Sequence, residues 1–171
     1  HKHFGENKVQ EAMIKWSKVK DQIREINLHM IGRLQSNKAK DAIKLFDYIH
    51  SLDSPKLANI LSKFEHSLNL KRKYFIQINI KNEKQKSGIK IEQVDEFYNY
   101  CTKTLKLNIV GLMAIPPVDG NQSNYFKLLM QLNESLGLLE LSMGMSEDFK
   151  EALKYKTTFV RIGSAIFGKR N

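Results

Sequence analysis

Residues 109–115 read Ile109-Val110-Gly111-Leu112-Met113-Ala114-Ile115 and run directly into Pro116-Pro117. Seven residues are far too few to cross a bilayer. They suit a strand buried on both faces, which is the signature of a parallel sheet, and the proline pair ends it. A parallel sheet needs a crossover after every strand, so helices should flank this run. They do: Val94, Phe97, Cys101 and Leu105 form a helical stripe before it, and Phe126, Leu129, Met130, Leu132 and Leu136 form one after it.

The same alternation extends outward. Residues 74–80, YFIQINI, are aromatic and β-branched and predict a strand. Before them, Ser54-Pro55 predicts an N-cap followed by proline at the first helical turn, with Leu57, Ile60, Leu61, Phe64 and Leu68 as the buried face. Further strands are expected at 28–31, 46–50, 138–143 and 159–162. A long helix is expected after an Asn7 N-cap, with Val9, Ala12, Met13, Trp16, Val19, Ile23 and Ile26 on one face. Ser146-Glu147-Asp148 predicts a capped helix start with acids in its first turn. With residues 1–4 as a strand, the chain reads as seven βα units. The fold class is α/β, and polar, glycine-rich junctions after nearly every strand favour a (β/α)8 barrel over an open doubly wound sheet.

Composition narrows the function classes. The 171 residues carry 28 Lys+Arg against 18 Asp+Glu, a net charge of +10. Lysine dominates and is scattered along every helix, which describes solvated faces better than a nucleic-acid footprint. A small phosphorylated ligand would exploit the same field. A single cysteine, Cys101, permits no intrachain disulfide and suits a reducing, cytoplasmic setting. No membrane span is visible. Histidines 1, 3, 29, 50 and 66 lack metal-ligand spacing.

The strand-to-helix junctions hold the candidate site. In Arg161-Ile162-Gly163-Ser164, Gly163 permits close backbone approach, and Ser164 with the following amides can cradle a phosphate; an ordinary turn fits the same spacing. Arg161, at the end of a buried strand, calls for a partner, either a carboxylate or a ligand nitrogen. Ser146 reads as a helix cap, and Cys101 as an inert core residue.

Taken together, His3-Phe4-Gly5-Glu6-Asn7, His29-Met30-Ile31-Gly32, Leu34-Gln35-Ser36-Asn37-Lys38, Lys86-Ser87-Gly88, Leu141-Ser142-Met143-Gly144-Met145-Ser146 and Val160-Arg161-Ile162-Gly163 closely resemble the pyridoxal-phosphate homeostasis protein family. The resemblance covers the whole chain. It implies a single barrel domain over residues 1–171, similar to the N-terminal domain of alanine racemase, that binds pyridoxal 5′-phosphate (PLP). It also implies that the first strand, its helix and the Schiff-base lysine lie upstream of His1, so that no catalytic residue falls within this chain.

By motif match, Ser142 and the Gly163-Ser164 amides would hold the phosphate, Arg161 would face the pyridine nitrogen, and Asn37 would lie by the ring. A permanent cation at that nitrogen weakens the cofactor as an electron sink. The implied role is therefore non-catalytic: buffering PLP or delivering it to PLP-dependent apoenzymes, as a monomer. A PLP-dependent racemase-like enzyme and a basic nucleic-acid or phosphate-surface binder remain the alternatives.

Overall fold

The computed structural model describes residues 1–19, 23, 25–83 and 85–168. Strand β1 (His3–Glu6) leads to α1 (Val9–Trp16), then β2 (Asn27–Met30). A 3₁₀ turn (Ser36–Lys38) opens α2 (Ala39–Leu45), followed by β3 (Tyr48–Leu52), α3 (Pro55–Leu68), β4 (Lys73–Asn79) and the two-residue β5 (Ile89–Lys90). Next come α4 (Val94–Asn99), β6 (Asn108–Ala114), α5 (Gln122–Ser135), β7 (Glu140–Met145), α6 (Phe149–Ala152), β8 (Phe159–Arg161) and α7 (Ser164–Phe167).

The strands pair in parallel in the order β1-β2-β3-β4-β6-β7-β8, with β5 added beside β4. The sheet curls into a nearly closed barrel. Its terminal strands are not paired, but the His3 and Phe159 rings meet across the seam at 5.6 Å between centroids. The seven expected βα units are present; β5 was not expected, because two residues carry no periodicity.

Side-chain alternation divides the sheet into two faces. Leu28, Met30, Ile49, Ile76, Leu112 and Leu141 point outward and pack under the helices in one apolar core. Each fully buried side chain of this size contributes roughly 1.5–3 kcal/mol. The interior is smaller: Tyr48, Phe75 and Met113, with Val110 and Phe159 against them.

Several amides in or next to the strands are latched by side chains. Asp47 Oδ2 accepts from Leu28 N at 2.8 Å, and Glu65 Oε1 from Arg72 N at 2.6 Å. Asn133 Oδ1 accepts from Leu112 N at 2.9 Å, and Thr158 Oγ1 from Leu141 N at 2.8 Å. Two of these sit beside register shifts in the ladder, where backbone partners fall out of step.

Three local expectations need correction. Helix α1 begins with Lys8 at its N-cap, not Asn7, and ends at Trp16 in a tight turn closed by Val19 N to Trp16 O. Residues 20–22 and 24 of the expected longer helix lie outside the described residues, and Ile23 is half exposed, off any buried stripe. Ser146 does not cap α6. Asp148 occupies the N-cap and turns its carboxylate back to Met145 N at 2.6 Å. Ser54 does cap α3, accepting from Leu57 N, with Pro55 at the first turn. Cys101 is fully buried, in a π-helical turn (Tyr100–Thr104) that continues α4. Burial pushes its thiol up to about 12, so it stays protonated.

Candidate functional site at the C-terminal rim

The junctions after β7 and β8 lie side by side. Gly144 turns the chain at a φ of 89°, and a Cβ there would meet the Ala152 side chain at 2.7 Å, so the turn requires glycine. That turn delivers Ser146 to the loop after β8. Its hydroxyl accepts from Gly163 N at 3.3 Å and Ala165 N at 3.4 Å. Both bonds are long, the loop is exposed, and space is open beside Gly163. Two backbone donors and a hydroxyl thus face a gap that an oxyanion of several oxygens suits better than one serine does.

Arg161 stands at the inner edge of this gap. Nη2 donates to Ala114 O at 2.8 Å; Nη1 donates to Ser142 Oγ at 3.1 Å and Ser142 O at 3.4 Å. Every one of these partners is an uncharged oxygen. Burial lowers the guanidinium to about 10, against a weak opposing pull from Asp148, so it remains a cation at neutral pH. Among the described residues no carboxylate is hydrogen-bonded to Arg161; Asp148 acts on it only through space.

Behind Arg161 the barrel holds a chain of imidazoles. Ser142, fully buried, lies 2.9 Å from His50 Nδ1. His50 Nε2 lies 2.8 Å from His29 Nδ1, and His29 Nε2 lies 2.9 Å from His3 Nδ1. The line descends from the rim to the opposite end of the barrel. His50 stacks on Phe75 at 4.2 Å and His29 on Tyr48 at 4.3 Å. Burial, the stronger effect, and the neighbouring His3 drop His29 to about 3; burial, His29 and Arg161 hold His50 well below the usual imidazole range. Both are uncharged at neutral pH.

The structure therefore joins Arg161 to Ser142 and places Gly163 and Ser164 next to them. Ser142 points inward, its hydroxyl taken up by His50 and Arg161, while Ser146 is the serine that reaches the Gly163 loop. Asn37 sits apart and exposed, on the 3₁₀ turn after β2. Its neighbours Gln35 and Ser36 line a separate rim cleft of about 820 Å³ with Arg33, Asp53, Lys56 and Lys86. Motif reading missed both Ser146 and the histidines. The available signal was positional: His3, His29 and His50 all fall on strands of one parallel sheet.

The parallel barrel is of the alanine racemase type, and the family model for the alanine racemase N-terminal domain matches residues 1–171. The relatives are more specific. The chain is 37% identical to the pyridoxal phosphate homeostasis protein of Aquifex aeolicus, over 99% of this chain and 77% of that protein, and 39% identical to the one from Haemophilus influenzae, over 98% and 75%. It belongs to the pyridoxal phosphate homeostasis protein family. The solved structure of PipY from Synechococcus elongatus with PLP bound superposes with a TM-score of 0.88 at 32% identity, covering 98% of this chain and 82% of that one. Alanine racemase from Clostridium difficile, 15% identical with a TM-score of 0.75 over 99% of this chain and 45% of its own, shares the fold.

Proposed function

We propose that the protein is a single PLP-binding barrel over residues 1–171 that stores or hands over the cofactor without transforming a substrate. The observation that carries this reading is the Arg161 cation at the rim, whose hydrogen-bond partners are all uncharged, next to a gap lined by amide donors. The Gly163 and Ala165 amides, Ser164 and the Ser146 hydroxyl would hold the phosphate. Arg161 would stand at the pyridine nitrogen, with Ser142 behind it as its support. Asn37 would approach the ring from the other side of the rim.

When bound, PLP supplies an electron sink that is strongest when its ring nitrogen is protonated. A guanidinium at that nitrogen disfavours the proton, so Arg161 holds the cofactor in its less reactive form. PLP-dependent apoenzymes are the partners this reading implies, with the protein acting as a monomer in the cytoplasm. Among the described residues no helix is long and apolar enough to cross a membrane.

Equilibrium dialysis against PLP tests the reading. Saturable binding of one PLP per chain is expected, displaced by inorganic phosphate and weakened about tenfold or more by Ser146→Ala or Arg161→Glu. Non-saturating uptake that ignores both substitutions would overturn it. Racemase activity in the PLP-loaded protein would overturn the non-catalytic part alone.

A further inference from the structure

The line Arg161, Ser142, His50, His29, His3 runs through four successive hydrogen bonds of 2.8 to 3.1 Å. The function proposed above uses only its first two members. We propose that Ser142, His50 and His29 form a one-way hydrogen-bond relay started by Arg161, in which each imidazole carries its proton on Nε2, and that His50 is a positioning residue for the Arg161 guanidinium. This deepens the PLP-carrier reading and rests on it for its consequence, though not for its direction.

The direction follows from counting protons. Arg161 can only donate, so Ser142 Oγ must accept from it. Among the described residues the Ser142 hydroxyl has two side-chain partners, Arg161 Nη1 and His50 Nδ1, and it is fully buried. If His50 also donated to it, the serine's own proton would be a buried donor with nowhere to go. Ser142 therefore donates to His50 Nδ1. That puts the His50 proton on Nε2, which donates to His29 Nδ1, and the His29 proton on Nε2, which donates to His3 Nδ1. The reversed order strands one proton at Ser142. A doubly protonated imidazole would set two donors face to face and add a cation in line with Arg161, which burial already opposes.

The consequence lies at the first link. A hydroxyl that gives its proton to His50 turns its lone pairs toward Arg161. Without that acceptor the hydroxyl rotates, and one of the few bonds on Nη1 weakens. The stacking of His50 on Phe75 and of His29 on Tyr48 fixes the ring planes, so the relay is held from both sides and not only along its length.

Long-range proton–nitrogen NMR of the imidazoles, recorded without PLP, tests the direction. His29 and His50 are both expected to show a protonated Nε2 and a bare Nδ1. A protonated Nδ1 on either ring overturns the relay, whatever PLP does. The positioning role is tested by a pair of substitutions. His50→Asn keeps an acceptor where Nδ1 was, whereas His50→Leu keeps bulk and removes it. His50→Leu is expected to weaken PLP binding about tenfold and to merge the two Nη signals of Arg161, while His50→Asn stays within about threefold of the parent with the signals resolved. Equal behaviour of the two variants overturns the positioning role. If His50→Leu fails to fold, the resolved Nη signals of the parent protein, compared with those of His50→Asn, still decide it: collapse of the signals in His50→Asn overturns the role. Absence of PLP binding in the parent would sink the carrier reading and leave both NMR results standing.

Discussion

The two faces of one sheet are built on opposite rules. Outward-facing Leu28, Ile49, Ile76, Leu112 and Leu141 pack in an apolar cluster, and the buried polar groups Glu65 and Asn133 on that side are satisfied, Glu65 by Arg72 N and the Tyr74 hydroxyl and Asn133 by Leu112 N. Inward-facing His3, His29, His50, Ser142 and Arg161 give up hydration and regain hydrogen bonds to one another and to carbonyls, with His29 and His50 also stacked on aromatic rings. The outer face makes the barrel stable; the inner face spends part of that stability on a polar line aimed at the rim. Alternation along β2, β3 and β7 places both kinds of residue one position apart.

Emptying the outer face should have the largest effect. Phe46→Ala removes a fully buried ring and should cost about 3–5 kcal/mol in urea unfolding, while the imidazole tautomers of the surviving folded protein stay the same. If the tautomers changed as well, the two faces would be coupled.

Acid should attack the inner face next. His29 and His50 are held below the value they have in the unfolded chain, so below about 6.5, and for His29 down to about 3, the unfolded state binds more protons than the folded one. Stability should therefore fall as pH drops through that window, by up to about 1.4 kcal/mol per pH unit for each histidine. His3, Asp47 and Lys73 face His29, and Arg161 faces His50; Asp47 alone pulls the other way. Thermal unfolding at several pH values measures the slope, and His29→Gln should flatten it. A flat profile in the parent would mean the interior takes up protons freely.

A smaller loss is expected where the faces meet the rim. A Cβ on Gly32 would sit 2.2 Å from Asn7 O and 2.8 Å from Asn7 Cα, both backbone atoms. Gly32→Ala should cost about 1–3 kcal/mol by forcing the loops after β1 and β2 apart, as read by denaturant midpoint. Lys156→Met should change least. Its 2.6 Å ion pair with Glu134 is exposed, and a loss under about 0.5 kcal/mol is expected at moderate salt.

The outer face was the legible one. The apolar run at 109–115, the YFIQINI strand and the Ser54-Pro55 start report local periodicity and capping, which depend on near neighbours in sequence. Arg161 was legible because a charge at the end of a buried strand stands out. The imidazole line was not, since its links join residues 21 to 92 positions apart and each histidine, taken singly, looks like an ordinary core residue. Ser146 was misread for a related reason: its local setting, two acids followed by a helix, describes a cap. Its actual partners, Gly163 and Ala165, lie 17 and 19 residues downstream.

The side-chain latches on Leu28, Arg72, Leu112 and Leu141 bear on how such a barrel breathes. In a sheet held by its ladder alone, losing one strand exposes the amides of the next, and opening spreads around the ring. Here, in four of the seven βα units, a carboxylate, an amide or a hydroxyl from that unit or its neighbour can keep hold of an amide after the ladder has let go. Opening at these units is thereby expected to stay local, so that the rim yields one loop at a time while the neighbouring wall stays shut.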